Sequence, residues 1–246
     1  MDRSLYIAMS GAKQTLLAQT SNANNLANAQ TTGFKSDFEQ FRSMPVFGPG
    51  YPTRVYAMAE RPGSDMNMGA IQTTGNDLDI AIKGEGWFVV EGEGGGEAYT
   101  RAGDLRITPE GRLVTGAGVA IYGNDGPILL PPAEKLDIGN DGTISIIPVG
   151  EGPSTLAIID RIKMVKPDMR NLEKLNDGFM HTKDGSILDA DAGVSLVQGA
   201  LESSNVNAVS ALVEMIELAR NFELQTKVMK NADDNSGVSA KLMQMA

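Results

Sequence analysis

The stretch NANNLANAQTTGFK, residues 22–35, puts four asparagines near the end of a segment whose other residues favour a helix. Asparagine is a poor helix former, because its side chain competes for backbone hydrogen bonds. No charged residue lies between Lys13 and Lys35. For an isolated domain, this pattern indicates a weak, fraying helix end. The alternative is a helix covered by other protein on most sides, where amides bond to neighbours and help to fix register.

Along the segment that ends in the asparagines, residues that are apolar except for Gln19 recur at alternating spacings of 4 and 3, which is a heptad seam. Its members are Leu5, Met9, Ala12, Leu16, Gln19, Ala23 and Leu26. The pattern predicts a helix over residues 4–30, which would span roughly 40 Å. Gly33 stands where a helix C-terminus favours glycine.

The C-terminal part of the chain has a second seam with the same spacing. Its members are Ala208, Leu212, Met215, Ala219, Phe222, Thr226 and Met229. Ile216 widens the apolar stripe, and Ser203, Ser204 or Asn205 could cap the start of the helix. The sequence therefore predicts a helix at each end of the chain, with a more polar break at 233–237 in the second.

Between the helices, the hydrophobic period changes to two. Residues 78–83, LDIAIK, alternate as a half-buried strand does. Asp-Gly pairs, which suit tight hairpins, recur at residues 125, 141, 177 and 184. The pattern predicts an antiparallel sheet or barrel whose core includes Ile80, Ile82, Trp87, Val89, Ile121 and Ile146.

Residues 34–74 hold several prolines and glycines and keep no period, which is typical of an extended connector. The predicted fold class is α+β: a discontinuous coiled coil of the N- and C-terminal helices plus a mainly antiparallel β domain. The predicted divisions are 1–33 for the N-terminal helix, 34–74 for the connector, 75–191 for the β domain and 192–246 for the C-terminal helix.

Composition narrows the function. The formal net charge is −10, which argues against nucleic acid as a partner. No stretch approaches the roughly 18 apolar residues of a membrane span, so no membrane insertion is expected. The opening residues lack the apolar core of a cleavable signal. We therefore expect a cytoplasmic protein, or one that is exported without such a signal.

The sequence offers little for catalysis. Its one histidine, His181, lies between two turn signals, and there is no cysteine. Asp189 and Asp191 resemble the start of a calcium loop, but Gly193 comes early and no glutamate follows at the required distance. We predict no enzyme activity, no catalytic or cofactor-binding residues, no metal site and no cofactor.

Four blocks, in order along the chain, resemble the flagellar rod and hook protein family. They are ANNLANAQTTGFK (23–35), GNDLDIAIKGEGWFVV (75–90), YTRAGDLRITPEGRLVTGAGVAIYG (99–123) and SNVNAVSALVEMIELARNFELQTKVMK (204–230). The opening MDRSLYIAMSGA and the short middle are most similar to the proximal-rod members, with the distal-rod members as the alternative. Ala219-Arg220 departs from the family, since many relatives have glutamine before the arginine.

The resemblance implies a structural subunit of the bacterial flagellar basal body. The terminal helices would pair as an inner coiled coil, and copies would stack helically into the rod that crosses the periplasm and transmits torque. The implied partners are other copies of the chain, neighbouring rod proteins and the flagellar type III export apparatus. The competing class is a soluble β-barrel binding module or enzyme with a helical hairpin attached.

The seams, the asparagines and the end of the signature together predict the assembly interface. It comprises Leu5, Met9, Ala12, Leu16, Ala23, Asn24, Asn25, Leu26, Asn28, Gly33, Phe34, Leu212, Met215, Ile216, Ala219, Phe222 and Met229.

Overall fold

The computed structural model describes residues 4–45, 55–148 and 156–244, without the side chains of Ser4, Ala59, Arg61 and Pro62. It confirms the α+β class: helices α1 (Ser4–Ala27) and α2 (Ala208–Gln244) flank a middle of antiparallel strands. The chain forms two compact units. The helical unit comprises Met1–Ala29, Ser36–Gly63 and Val206–Ala246, and the β unit comprises Gln30–Lys35 and Ser64–Asn205.

The strands are short, as the recurring turn signals predict. They are β1 (Asp37–Pro45), β2 (Val55–Ser64), β3 (Ile71–Thr73), β4 (Ile80–Lys83), β5 (Trp87–Glu91), β6 (Glu97–Thr100), β7 (Leu105–Ile107), β8 (Leu113–Thr115), β9 (Ala133–Ile138), β10 (Thr143–Pro148), β11 (Ala157–Arg161), β12 (Met164–Val165), β13 (Leu172–Lys174), β14 (Met180–Thr182), β15 (Ser195–Gln198) and β16 (Ala200–Glu202).

The β unit is built on a five-stranded sheet of order β12-β5-β6-β14-β13 and a three-stranded sheet of order β11-β10-β9. Its first strands pair with its last ones. Strand β4 pairs with β15, Ile80 opposite Gln198, and β3 pairs with β16, Thr73 opposite Ala200. The β unit is therefore closed by residues that lie more than a hundred positions from their partners.

Strand β5 lies between two apolar clusters, because its successive side chains point to opposite faces. Phe88 and Val90 belong to the larger cluster, and Trp87 and Val89 to the smaller one. The prediction of the core is confirmed, since all six of its residues are buried: Ile80, Ile82, Trp87, Val89, Ile121 and Ile146.

In the helical unit, α1 and α2 pack against each other in antiparallel directions. The end of α1 lies beside the start of α2, since the Asn22 side chain donates to the Ala211 carbonyl over 2.7 Å. Closer to the start of α1, a Cβ built on Gly11 would lie 3.0 Å from the side chain of Gln225, further along α2. Small residues on α1 permit this approach, and its buried side chains are those of Ala8, Ala12, Thr15, Ala18, Ser21 and Asn22. Neither helix has a described stretch that is both long and apolar enough to cross a bilayer.

Several boundaries differ from the predicted ones. Strands β15 and β16 follow residue 192 and lie in the β unit, because they complete its sheets. The N-cap of α2 is Asn207, whose Oδ1 accepts from the Val209 and Ser210 N–H groups, and the candidate caps Ser203, Ser204 and Asn205 precede it. Helix α2 also continues through residues 233–237, since none of them is proline.

The predicted connector is also more ordered than its composition indicates. Strands β1 and β2 pair into a two-stranded ribbon, and the Ser10 hydroxyl donates to the Ala57 carbonyl of β2 over 3.3 Å. Strand β3 belongs to the β unit. Residues 46–54 of the connector lie outside the described part of the chain.

The pairing of first strands with last ones makes a prediction about fragments. Gln30–Lys35, joined by a flexible linker to Ser64–Asn205, should unfold cooperatively. A fragment of residues 75–192 should not, because it lacks the partner of β4 as well as the β3–β16 pair. Urea unfolding followed by tryptophan fluorescence and circular dichroism tests this. The prediction would be contradicted if both fragments unfolded cooperatively, with the same transition by fluorescence and by circular dichroism and with equal stability.

Candidate functional site

Within the predicted assembly interface, the apolar residues of the two helices fall into two groups, one buried or half-buried and one exposed. Ala12 is buried between the helices, where Met215, Phe222 and Met229 are half-buried. Leu5 and Leu26 are also half-buried. Exposed side chains are those of Met9, Leu16, Ala23, Leu212, Ile216 and Ala219. Each predicted seam therefore contains side chains from more than one face of its helix.

Much of the apolar surface of the helical unit is exposed. Its large exposed apolar residues are Tyr6, Met9, Leu16, Leu17, Phe38, Phe41, Met44, Val55, Val209, Leu212, Val213, Ile216, Leu224, Val228, Val238, Leu242 and Met243. Its fully buried apolar side chains are only Ala8, Ala12, Ala18, Ala211 and Leu218 among the described residues. Large exposed apolar surfaces are unusual in monomeric proteins and are typical of protein–protein interaction sites.

Two asparagines of the signature bind within the helical unit. Asn22 bonds to α2 as described above. The Asn25 side chain pairs with the backbone of Asp37, the first residue of β1: its Nδ2 donates to the Asp37 carbonyl over 3.0 Å, and its Oδ1 accepts from the Asp37 N–H over 2.9 Å. Asn25 thus pairs with Asp37 as a neighbouring strand would, and it attaches the ribbon to α1.

The other two asparagines lie closer to solvent. Asn28 donates from its side chain to the Asn24 carbonyl over 2.9 Å, at the end of α1. The Asn24 side chain is exposed. The asparagines therefore serve different purposes, and Asn24 is the one whose side chain remains most open to a partner.

The end of the signature lies in the β unit. Gly33 has φ +66°, and its N–H donates to the Glu202 carbonyl over 2.8 Å. A Cβ at this position would lie 2.3 Å from the Arg101 carbonyl carbon, so only glycine fits. Beside it, the Lys174 ammonium lies 3.9 Å from the centre of the Phe34 ring. Gly33 and Phe34 thus have partners within the β unit itself.

Lys35, the last residue of the signature, belongs to a buried ion cluster. Its Nζ lies 2.7 Å from Glu202 Oε1, and Arg101 Nη1 lies 2.9 Å from Glu202 Oε2. The side chains are 3%, 1% and 1% exposed for Lys35, Arg101 and Glu202. The Gly69 N–H also donates to Glu202 Oε1 over 3.0 Å. The carboxylate therefore accepts three bonds away from water.

The cations of the cluster have further partners. Lys35 Nζ donates to the Asn67 carbonyl over 2.8 Å, and Arg101 Nη2 donates to the Gly84 carbonyl over 2.9 Å. The Arg101 guanidinium lies 5.4 Å from the centre of the Trp87 ring. Burial lowers the pKa of Lys35 and of Arg101, while Glu202 acts in the opposite direction on both.

This buried ion cluster could not be predicted from the sequence. Its three charged residues are far apart in the chain, at positions 35, 101 and 202, so no local spacing connects them. The available signal was that Lys35 and Arg101 each lie within a block that resembles the family, next to glycine-containing turns. A charged residue in such a position invites a search for a buried partner.

The candidate catalytic and metal residues remain separate from these features. His181 Nε2 lies 2.7 Å from Asp177 Oδ2, beside the hairpin turn that joins β13 to β14. Asp191 accepts from the Gly193 N–H over 2.7 Å, as in an ordinary turn. Within residues 4–45, 55–148 and 156–244, no three acidic or histidine side chains are grouped as metal ligands.

Three family models match the chain in order. A model described as flagella basal body rod protein matches residues 5–35, the flagellar hook protein FlgE/F/G D1 domain matches residues 81–146, and the flagellar basal body rod FlgEFG protein C-terminal matches residues 197–242. Together they cover α1 with the signature, the first part of the β unit, and its last strands with most of α2.

Full-length relatives agree with these matches. The chain is 38% identical to the flagellar basal-body rod protein FlgF of Salmonella typhimurium and 39% identical to that of Escherichia coli, each over 100% of both chains. It is 32% identical to the rod protein FlgG of Bacillus subtilis, over 95% of this chain and 96% of the relative. The chain therefore belongs to the flagellar basal-body rod protein family, as a structural and non-enzymatic subunit of the rod that is most like the FlgF proteins.

Proposed function

We propose that the chain polymerises helically through its helical unit, in contact with other copies and with neighbouring rod proteins. The observation that carries this proposal is the exposed apolar surface of the helical unit. Among the described residues, Leu218 is the one fully buried apolar side chain of the unit larger than alanine, and large side chains such as Leu16, Leu212 and Ile216 remain uncovered. Contacts with other subunits would remove this surface from water and stabilise the helices.

The proposed interface is the exposed part of the predicted set, joined by exposed neighbours such as Val209 and Val213 on the first turns of α2. These two residues and Leu212 and Ile216 form a wide stripe, and within residues 208–216 Glu214 is the only charged residue. Such a stripe favours burial against other protein. A head-to-tail contact of this kind that does not close would give a filament.

The paired helices would then lie on the inside of the assembly as a coiled coil. In the rod, the buried and half-buried members of the predicted interface, such as Leu5, Ala12, Met215, Phe222 and Met229, would hold the two helices of one subunit together. The proposed division of roles is therefore one seam within the subunit and another between subunits. The β unit, whose core is its own, would lie outside.

We also propose that the subunit is exported by the flagellar type III apparatus, without a cleavable signal, to a rod that crosses the periplasm and transmits torque. A helical unit with so few buried apolar side chains is easily unfolded, which suits passage through a narrow channel. Its helices would become ordered when neighbouring subunits cover them, so that inter-subunit burial would offset the ordering entropy.

A charge in the proposed interface should prevent assembly. Ile216→Glu puts a carboxylate into a stripe that must be desolvated, whereas Ile187→Glu makes the same change on the β unit; the two isoleucines are 69% and 73% exposed. We expect Ile216→Glu to abolish motility and rod formation, with a change in monomer stability below about 0.5 kcal/mol. Soft-agar motility and electron microscopy of isolated basal bodies, in a strain lacking its own copy, measure this. Normal rods with Ile216→Glu would overturn the proposal.

Substitutions at Asn25 and Asn24 should have different effects, the first on the stability of the subunit and the second on its assembly. Asn25→Ala removes both bonds to Asp37 and should destabilise the helical unit by about 1–2 kcal/mol. Asn24→Ala, at the neighbouring exposed position, should leave monomer stability unchanged and reduce incorporation into rods. Hydrogen exchange of the ribbon amides and the motility assay report the two effects. The opposite pattern would assign the interface to Asn25.

Export should depend on the flagellar apparatus. The chain, produced in cells with and without a functional type III apparatus, should leave the cytoplasm only in the first case. A periplasmic protein with a cleavable signal serves as the control, since its export should be equal in both strains. Equal export of the chain from both strains would contradict the proposed route.

A further inference from the structure

The chain passes between its two units at several points, and three segments of the β unit next to these points meet at one residue. These segments are Gln30–Lys35, the stretch that begins at Ser64, and the stretch that ends at Asn205. The Glu202 carboxylate accepts from Lys35 in the first segment and from the Gly69 N–H in the second, and Glu202 itself lies in the third.

Backbone bonds run beside this carboxylate. The Gly33 N–H donates to the Glu202 carbonyl over 2.8 Å, and the Asn205 N–H donates to the Phe34 carbonyl over 3.3 Å. The Asn205 side chain donates to the Asp65 carbonyl over 2.9 Å. The three segments are thus bonded to one another within a few residues of the points where the chain leaves the β unit.

Arg101 connects these three segments to the five-stranded sheet. It directly follows β6, the central strand of the five-stranded sheet, and its guanidinium bonds to Glu202 and to the Gly84 carbonyl. A pull on Lys35 or on Glu202 is therefore transmitted to the sheet through buried ion pairs. Such pairs resist rupture because water is absent to replace them, and breaking one leaves an uncompensated charge.

We propose that Lys35, Arg101 and Glu202 form a clamp that holds the crossing segments together under mechanical load. Every force that reaches the β unit through the chain from the helical unit enters at these segments. The clamp therefore resists separation of the segments before the strands themselves are loaded. This role rests on the proposed function, since it matters in a shaft that transmits torque.

Single-molecule pulling on the full-length chain tests the clamp. Because the chain has no cysteine, pairs of introduced cysteines give unique handles. One pair, at Gln40 and Ala208, loads the crossing segments; a second pair, at Asp125 and Asp189, loads the β unit elsewhere. All four positions are exposed. Glu202→Gln should speed unfolding at fixed force by about a hundredfold through the first pair, as expected for a broken buried ion pair.

The direction of pulling separates a clamp from an ordinary core contact. Through the second pair of handles, the acceleration by Glu202→Gln should be at least about tenfold smaller. An equal acceleration in both directions would overturn the proposal. Glu97→Gln is the matched control, since Glu97 Oε1 lies 2.6 Å from Lys163 Nζ in a largely buried pair away from the crossings. It should show no such dependence on direction.

Lys35→Met is the second variant, for the case that Glu202→Gln does not fold. It removes one cation and leaves the Arg101–Glu202 pair in place, so it should give a smaller acceleration with the same dependence on direction.

The pulling measurement uses the monomer and needs no rod. A failure of the clamp would therefore leave the assembly results with Ile216→Glu untouched, and a failure of assembly would leave the clamp results standing.

Discussion

The arrangement of the β unit depends on the buried ion pairs of the Glu202 carboxylate with Lys35 and Arg101. The carboxylate lies at the end of β16, the last strand, and accepts from Lys35 and Gly69 near the beginning of the chain. Its second oxygen accepts from Arg101, next to the central sheet. Two cations and a backbone N–H around one buried carboxylate satisfy it without water, so the burial is tolerated. The contact with Lys35 explains the lysine that ends the signature, whereas Gly33 is required by the close approach of the Arg101 backbone.

The helical unit follows a different principle. Its intramolecular seam is lined by alanine, serine, threonine and asparagine on α1, and only small side chains allow the two backbones to approach so closely. The larger apolar residues lie outside that seam. A helix with apolar side chains on several faces is suited to burial among other helices and gains little stability alone. The β unit thus buries its apolar side chains within itself, whereas the helical unit leaves most of its large ones exposed.

The sequence predicted what depends on local period. The heptad spacings predicted both helices, and the alternation around residues 78–83 predicted β4 with its buried Ile80 and Ile82, although Ala81 between them is buried as well. It did not predict which seam the helices use, because residues three and four apart form overlapping rows, and Leu16 and Ala12 fit neighbouring rows equally well. Backbone packing decides between them, through the space that Gly11 leaves for the Gln225 side chain.

Long-range polar contacts cannot be predicted from such local spacings. The question raised by the asparagines had several answers, since Asn22 bonds to α2, Asn25 pairs with the ribbon, and Asn24 remains exposed. Composition gave no sign that Asn25 would act as a strand partner for Asp37. Likewise, the position of Glu202 at the end of a strand could be assigned only once β16 was paired with β3.

The pairing of β3 with β16 and of β4 with β15 also bears on when the β unit can form. Contacts so distant in sequence must wait until both partners are present, and folding through such contacts is slow. A chain that threads a channel, from either end, delivers one partner long before the other. The sheets would remain incomplete until nearly all of the chain has emerged, so the β unit would fold on the far side of such a channel only at the end of its passage.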